Sequence, residues 1–266
     1  MNAPTEQPLL LFTLENGVLR LTLNRPKARN ALSSALMAAL KAALDGADAQ
    51  ARVIVIAAEG PVFSSGHDIK EMSASRADPD KGRAAFAALF EQCSDLMQAI
   101  VRHPLPVIAQ VQGLATAAGC QLVASCDLAV ASTAAGFATP GVDIGLFCST
   151  PMVALSRNLA HKPAMEMLLT GEPVTAERAR ELGLVNRVVA PKALTAETMA
   201  LAAKIAGKPR HTLKVGKEAF YRQREMALNE AYDYASRVMT ENMLAAEAEE
   251  GICAFLEKRE PKWPGQ

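Results

Sequence analysis

AQVQGLATAAGCQLVASCD, residues 109–127, carries a single charged side chain, Asp127. It belongs to a longer region, residues 104–156, in which Asp143 is the second and last charge. This region also contains FATPGVDIG, residues 137–145, and it holds too much Gly, Pro, Gln and Ser to be a bilayer span. The pattern predicts a buried centre built of short strands and one helix of small residues, and enzyme pockets often lie in such centres.

Apolar runs on both sides of this region predict strands. LLLFTLE and VLRLTLN alternate in polarity and are separated by Asn16-Gly17, a pair that strongly indicates a hairpin turn. RVIVIAAEG, PVIAQVQG and LAVAS are short continuous apolar runs, which are typical of buried strands. The first two-thirds of the chain therefore contributes strands at regular intervals.

Helical spacing appears between these strands. Ser33 precedes an amphipathic segment that Gly46 ends, and its leucines recur every four residues: Leu32, Leu36, Leu40 and Leu44. Residues 82–102 show the same spacing, and a further helix begins near Thr116. VTAERARELGLVNRVV predicts a capped helix that stops at Gly183 before a short strand.

The order of these elements predicts a mixed α/β fold of loosely repeated β-β-α units. From Arg157 onward the pattern is mostly helical, and the last part is long, amphipathic and densely charged. We expect residues 1–200 to form the spiral core and residues 201–266 to form a helical region at the C-terminus.

Composition excludes several classes of protein. The 266 residues carry 28 basic and 28 acidic side chains, so the net charge is zero, and no basic stripe or basic amphipathic helix indicates nucleic acid or a membrane as a partner. The five cysteines are scattered, without CxxC or a Cys/His cluster, which indicates reduced thiols and no metal site. Residues 1–12 resemble neither a signal peptide nor an Arg-rich transit peptide, so we expect a cytoplasmic location.

Two glycine-containing runs remain as candidates for chemistry. Phosphate-binding, zinc-protease and nucleophile-elbow motifs are absent, and the adjacency of Ser65, His67 and Asp68 does not make a triad, because triad members converge from different elements. FSSGHDIK turns sharply after a strand, and TAAGCQLVASC begins a helix with small residues. Backbone N–H groups from the two loops would form an oxyanion hole for a thioester or other carbonyl. The alternative is that small residues merely permit close helix packing.

Several motifs, in order, resemble the crotonase superfamily, the enoyl-CoA hydratase/isomerase family. They are NRPKARNALS, VFSSGHDIKEM, AQVQGLATAAGCQLVASCD, FATPGVDIG, TGEPVTAERARELGLVNRVV and EGICAFLEKREPKW. The resemblance covers residues 9–263 and is strongest to a branch of animal mitochondrial proteins. It implies a spiral of β-β-α turns with a C-terminal α-helical trimerisation region, assembly as trimers or hexamers, acyl-CoA thioester substrates, and no metal or cofactor beyond the CoA of the substrate.

The resemblance also assigns roles to residues. The backbone N–H groups of His67 and Ala118 would bind the thioester oxygen and stabilise an enolate. The residues that would bind the substrate are Arg25, Ala28, Asp68, Ile69, Lys70, Phe255 and Lys258. All of them except Asp68 and Ile69 would lie near the CoA nucleotide. For the charged groups among them, the alternative is an ordinary solvated surface residue.

The chain departs from the family where the acids should be. The hydratases it resembles have glutamates at the positions of Gln121 and Gly141, and some relatives have an acid where Ser149 stands. A glutamine orients water but takes up no proton at neutral pH. A glycine has no side chain, so we expect a gap at Gly141 with room for water or a small anion. Asp143 is the sole carboxylate nearby, and we expect it to have a structural role. Efficient hydration is therefore unsupported, and the double change Gln121→Glu and Gly141→Glu should raise it.

Three functions stay open at this point. The first is an acyl-CoA enzyme that uses the oxyanion hole with other groups, among them the His67 side chain, Ser149 or a bound ion. The resemblance gives a precedent, because naphthoate synthases have glycine at the Gly141 position and use bound bicarbonate. The second is a weak enoyl-CoA hydratase or isomerase. The third is a non-catalytic acyl-CoA binder.

Overall fold

The predicted hairpin opens the larger of two sheets in a computed structural model that describes residues 7–264. Strand β1 (Leu10–Glu15) pairs antiparallel with β2 (Val18–Leu23), with Leu10 opposite Leu23. Asn16 and Gly17 both have positive φ, at 50° and 76°, as the tight turn of a two-residue hairpin requires. The hairpin prediction is confirmed.

Three strand pairs then build the spiral. In each pair the first strand joins the larger sheet and the second joins a smaller sheet. The pairs are β3 (Val53–Ala58) with β4 (Val62–Ser64), β5 (Val107–Val111) with β6 (Leu114–Thr116), and β7 (Leu128–Ser132) with β8 (Gly136–Ala138). The sheets are completed by β9 (Val174–Thr175) and β10 (Arg187–Val189), which gives the orders β1-β2-β3-β5-β7-β10 and β4-β6-β8-β9. All pairs beyond β1–β2 and β8–β9 are parallel, so the expected β-β-α spiral is confirmed.

Helices cover both sheets and form the C-terminal part. They are α1 (Ser34–Asp45), α2 (Ile69–Ser75), α3 (Arg83–Arg102), α4 (Ala118–Ser125), α5 (Ser149–Asn158), α6 (His161–Thr170), α7 (Ala176–Leu182), α8 (Leu194–Ala206), α9 (Arg210–Gln223), α10 (Leu228–Met243) and α11 (Ala246–Glu257). Short 3-10 turns lie at Pro26–Ala28, Pro140–Ile144 and Pro191–Ala193. Between residues 7 and 264, none of these helices is long and apolar enough to cross a membrane.

Helix α1 begins and ends where the sequence predicts. The Ser33 side chain accepts a hydrogen bond from the Leu36 N–H, and the helix stops before Gly46. Its leucine face is fully buried, but Leu32, the first residue of the predicted repeat, lies outside the helix and forms an isolated bridge with His67. This bridge ties the start of α1 to the loop that carries the candidate site.

Strand β3 in the larger sheet is buried on both faces. In β3, Ile54 and Ile56 belong to the main core cluster, whereas Val53 and Val55 face a second cluster that α8 covers. This explains why the strand reads as one continuous apolar run. The expected domain boundary after residue 200 lies inside α8, and the division of the chain into two parts stays a prediction.

Candidate active site

The loop after β4 holds one of the two proposed oxyanion donors. Gly66 has a φ of 84°, a conformation that favours glycine. The Leu32 N–H donates to the Gly66 carbonyl at 2.7 Å, and the Asp68 N–H donates to the Leu32 carbonyl at 3.4 Å. In this parallel bridge the His67 N–H therefore points away from residue 32 and is left for another acceptor.

The start of α4 holds the other donor. Ala117 has a φ of 49° and a ψ of −119°, which is a strained conformation for alanine. Ala118 is the first residue of the helix, so its N–H has no acceptor within the helix. The loops touch, since a β-carbon on Gly66 would lie 2.9 Å from the Ala117 β-carbon and 3.2 Å from the Ala118 nitrogen. The sequence-predicted pair, His67 and Ala118, is thus carried by two loops in direct contact.

A second glycine permits this close approach. A β-carbon on Gly119 would stand 2.4 Å from the Ser64 carbonyl oxygen, so only glycine lets α4 begin against the end of β4. Ser64 is fixed in turn, because its hydroxyl donates to the Asn30 carbonyl at 2.9 Å. The buried Asn30 amide donates to the carbonyls of Glu59 and Val62, each at 2.8 Å. The small residues therefore do permit close packing, as one of the two interpretations of these runs predicts, whereas the oxyanion hole stays a prediction.

The His67 side chain lies against helix α3. Its ring meets Phe90 edge to face, with ring centroids 5.5 Å apart and an interplanar angle of 73°. Burial lowers the pKa of His67, with Glu71 acting in the opposite direction. The imidazole is therefore neutral at physiological pH. Its Nε2 atom is buried and has no hydrogen-bond partner.

Gln121 lies in the first part of α4 and is also buried. Its side-chain oxygen accepts from the thiol of Cys93 on α3, with 3.9 Å between sulfur and oxygen. Burial raises the pKa of the Cys93 thiol to about 12, so the thiol keeps its proton. Neither side chain exchanges a proton readily at neutral pH.

The position of Gly141 is filled. A β-carbon there would stand 2.6 Å from the Leu146 carbonyl oxygen and 2.9 Å from the Cys148 sulfur. The Leu146 N–H also donates to the Gly141 carbonyl at 2.8 Å, which holds the loop in this shape. The loop from residue 141 to 148 has therefore closed on the space next to this α-carbon.

The two other residues considered near this loop lie at the surface. Ser149 is the first residue of α5, and its hydroxyl donates to the Phe147 carbonyl at 3.4 Å. Asp143 is exposed in the 3-10 turn, with a carboxylate oxygen beside the Gly171 backbone. These contacts fit the structural role expected for Asp143, which stays a prediction.

Two of the predicted substrate-binding residues, Arg25 and Asp68, are paired with each other. The Arg25 guanidinium donates to the Asp68 carboxylate at 3.1 Å and to the Ala31 carbonyl at 2.6 Å. Asp68 also caps α2 by accepting from the Lys70 N–H. Burial acts to raise the pKa of Asp68, but the hydrogen bond from Arg25 and those from the backbone leave it lowered. Arg25 and Asp68 thus fasten the loop, which sequence reasoning did not foresee.

The remaining predicted substrate-binding residues are exposed, except Ala28, which is half-buried. Ala28 ends the Pro26–Ala28 turn, and Ile69 and Lys70 begin α2. Phe255 is 82% exposed on α11, and Lys258 follows that helix, which packs against α9 and α10. Their binding role stays a prediction.

Sequence reasoning missed Phe90 and Cys93. Both belong to an amphipathic helix in which each reads as ordinary core, and no local motif distinguishes them. The adjacency of helix α3 to α4 is a tertiary relationship, so this part of the site appears only in the folded chain.

The sequence matches a known protein family and several named relatives. Residues 13–266 match the enoyl-CoA hydratase/isomerase family. The mouse protein named enoyl-CoA hydratase domain-containing protein 3, mitochondrial, is 48% identical over 260 residues, which is 97% of this chain and 85% of that protein. The 2,3-dehydroadipyl-CoA hydratase of Escherichia coli is 34% identical over 261 residues, covering 97% and 99% of the two chains.

Solved structures of enoyl-CoA hydratase family members share the fold of this chain. A Mycobacterium smegmatis enoyl-CoA hydratase superposes with a TM-score of 0.92 at 55% identity, covering 97% of this chain and 99% of the other. Human enoyl-CoA hydratase domain-containing protein 3 gives 0.91 at 47% identity, covering 96% and 100%. Both the crotonase resemblance and its branch are confirmed.

The expectation of a cytoplasmic location is wrong. It rested on the composition of residues 1–12, whereas the mouse, rat and human relatives are named as mitochondrial proteins. Targeting signals are recognised by receptors and translocation machinery, and the folded core does not depend on them. The motifs that reveal the fold therefore could not reveal the compartment.

Proposed function

Because the chain belongs to the enoyl-CoA hydratase/isomerase family, we propose that it binds an acyl-CoA thioester and stabilises an enolate formed from it. In this proposal the backbone N–H groups of His67 and Ala118 bind the thioester oxygen. The supporting observation is the contact between the two loops that carry these donors, with Gly66 against Ala117 and Ala118.

The chemical role of the two donors is electrostatic. When a bond at the α-carbon breaks and leaves its electron pair, negative charge moves onto the thioester oxygen. Two fixed N–H groups stabilise that charge without having to reorganise, and loss of one such donor typically costs roughly 10²–10³ in rate. The strained backbone of Ala117 supports this role, because such conformations persist where the surrounding structure enforces them.

The reaction proposed is not efficient hydration. Water addition needs groups that take up and deliver protons, and the buried amide of Gln121 and the filled position of Gly141 supply neither. Weak hydration is the second candidate, favoured by the hydratase names of relatives such as the E. coli protein. We also propose that no cofactor is needed beyond the CoA of the substrate, and that the chain assembles as a trimer or hexamer. A mitochondrial location is proposed as well, and it is supported by the names of the relatives.

Calorimetry with short and medium acyl-CoA thioesters tests the site. We expect binding with a Kd of about 1 mM or tighter. Gly66→Ala should weaken it at least about tenfold, because the added methyl group would push against Ala117 and Ala118 and displace both donors.

Gly183→Ala is the matched control. Gly183 has a φ of 89°, close to the 84° of Gly66, but its nearest neighbour for a new β-carbon is 3.7 Å away, at the end of α7. Both variants incur the backbone penalty, and only Gly66→Ala changes the site. The proposal fails if no acyl-CoA binds near 1 mM, or if the two variants bind equally well.

A further inference from the structure

We propose that the acyl group of the substrate carries an uncharged carbonyl oxygen on its β-carbon, and that the side chains of His67 and Gln121 bind this oxygen. This inference rests on the proposed acyl-CoA function and specifies the substrate class. It means that a 3-oxoacyl thioester fits the site better than a hydrocarbon acyl chain of the same length.

The starting observation is the buried Nε2 atom of His67. It has no hydrogen-bond partner, although its ring is held in place against Phe90. Buried polar side-chain atoms without partners are rare in folded proteins, and each calls for an explanation such as a ligand. His67 is also the residue whose backbone N–H is proposed to hold the thioester oxygen. A group on the same acyl chain is therefore the nearest candidate partner.

Helix α3 contacts both His67 and Gln121. Phe90 and Cys93 are three residues apart, so they lie on one face of the helix. The His67 ring contacts Phe90, and the Gln121 amide contacts Cys93, so both polar side chains lie along the same face. Gln121 is also three residues after Ala118 on α4, one turn beyond the other proposed donor. An acyl chain whose thioester oxygen sits between the two N–H groups would thus meet both side chains near its β-carbon.

The hydrogen-bonding character of the two groups selects an acceptor. The Cys93 thiol donates to the oxygen of Gln121, which leaves the amide N–H groups as the free functionality of that side chain. This proposal assigns the proton of the neutral imidazole to Nε2, and in that tautomer the ring is a second donor. Two neutral donors match a carbonyl oxygen, which accepts two hydrogen bonds.

Charge argues against a carboxylate at the same position. Burial holds the pKa of His67 down, so the imidazole itself supplies no positive charge, and the charged group that acts on its pKa, Glu71, is negative. The Arg25 guanidinium is engaged by Asp68 and Ala31. An anionic acyl group would therefore lose hydration without gaining an ion pair.

The experiment compares acetoacetyl-CoA with butyryl-CoA, which has the same chain length without the β-oxygen, and with malonyl-CoA, which is anionic. We expect calorimetry to show acetoacetyl-CoA binding about tenfold tighter than either, the size of a hydrogen-bond contribution. His67→Phe keeps an aromatic ring against Phe90 and removes both nitrogens. Gln121→Leu removes the amide. Each should reduce the preference for acetoacetyl-CoA over butyryl-CoA to about threefold or less. His161→Phe, at an exposed position on α6, is the control and should keep the preference.

The outcomes separate this inference from the proposed function. Equal binding of acetoacetyl-CoA and butyryl-CoA, tighter binding of malonyl-CoA, or a preference that survives both variants overturns the inference while leaving acyl-CoA binding in place. If none of the three thioesters binds, the proposed function fails and the inference falls with it. His67→Phe should melt at or above the wild-type temperature, since it removes a buried unpaired atom. If it does not fold, Gln121→Leu decides the matter alone.

Discussion

The carbonyl oxygen of Leu146 lies 2.6 Å from the place that a β-carbon on Gly141 would take, and the sulfur of Cys148 lies 2.9 Å from it. The sequence predicts that Gly141 leaves a gap where family hydratases have a carboxylate, with room for water or a small anion. Directly at the α-carbon this prediction is wrong, because the backbone of the following loop fills the space. The absence of the acid at position 141 therefore goes together with a loop backbone that leaves no space for a side chain there.

Adding a side chain at Gly141 should therefore destabilise the protein. We expect Gly141→Ala to lower the free energy of unfolding by about 1–3 kcal/mol, the usual cost of overpacking, measured by urea denaturation. Gly216→Ala is the control. Gly216 lies in the middle of α9, where an added β-carbon would meet nothing within 4 Å. This change only removes the unfavourable helix propensity of glycine, so it should not destabilise the protein. Equal stability of Gly141→Ala and wild type would show that the loop moves aside at no cost.

The wild-type protein should hydrate crotonyl-CoA slowly. Relative to a family hydratase with both glutamates, we expect a rate at least about 10²-fold lower, because positioned acid–base groups contribute roughly 10²–10⁴ each. The sequence alone suggests that adding both acids would restore activity. The filled space at Gly141 now leads us to expect that Gln121→Glu with Gly141→Glu unfolds or stays inactive. Loss of the absorbance of the conjugated thioester measures the rate. A well-folded, fast double variant would refute the steric argument.

An ion pair under α9 should be essential for stability. Lys217 Nζ lies 2.7 Å from the Asp127 carboxylate, with side chains 8% and 16% exposed, and Tyr221 and the Val107 N–H also donate to that carboxylate. Lys217→Met should cost about 3–5 kcal/mol in urea denaturation, because it leaves a buried carboxylate without its cation. Lys214 is exposed and lies one turn earlier in α9. The free energy of unfolding of Lys214→Met should stay within about 0.5 kcal/mol of the wild-type value. Equal effects of the two changes would contradict this account.

Stability should fall on mild acidification, partly because of His67. Burial lowers the pKa of His67 in the folded chain, against the effect of Glu71. As the pH falls below about 6.5, the His67 imidazole therefore takes up a proton more readily in the unfolded chain than in the folded chain. The free energy of unfolding then decreases as pH falls, by at most about 1.4 kcal/mol per pH unit for one such group.

Urea denaturation at about pH 7.5 and about pH 5.5 measures this change. His67→Phe should lose less stability than wild type over this range. Part of the loss should remain, because the pKa of His103 is also lowered by burial. The prediction fails if the variant and the wild type lose the same amount.

How much the sequence reveals depends on how local each feature is. The turn at Asn16-Gly17, the cap at Ser33 and the stop at Gly183 follow from backbone preferences of single residues, and all three are confirmed. The two loops proposed to carry the oxyanion donors are marked in the sequence by their glycines, and their contact is seen in the structure. The partners of His67 and Gln121 on α3, by contrast, are set by helix packing across many residues, and no local pattern records it. The same holds for the Leu146 carbonyl at Gly141.

We expect copies of this chain to assemble through helix α10. Helix α10 has no buried residue, and it carries an exposed apolar stripe at helical spacing: Leu228, Tyr232, Met239 and Met243, between 49% and 76% exposed. Contiguous exposed apolar surface of this kind marks interaction sites, and the family resemblance implies trimers. We expect light scattering at micromolar concentration to give three or six times the chain mass of 28.2 kDa.

A variant distinguishes an interface from a merely exposed stripe. Tyr232→Asp places a charge in its middle and should lower the measured mass towards that of the single chain, since an unpaired charge in an apolar interface is costly. Asn229→Asp adds the same charge on the same helix at an exposed polar position and should leave the mass unchanged. A monomeric wild type, or an unchanged mass in a folded Tyr232→Asp, would show that this stripe is not the contact between subunits.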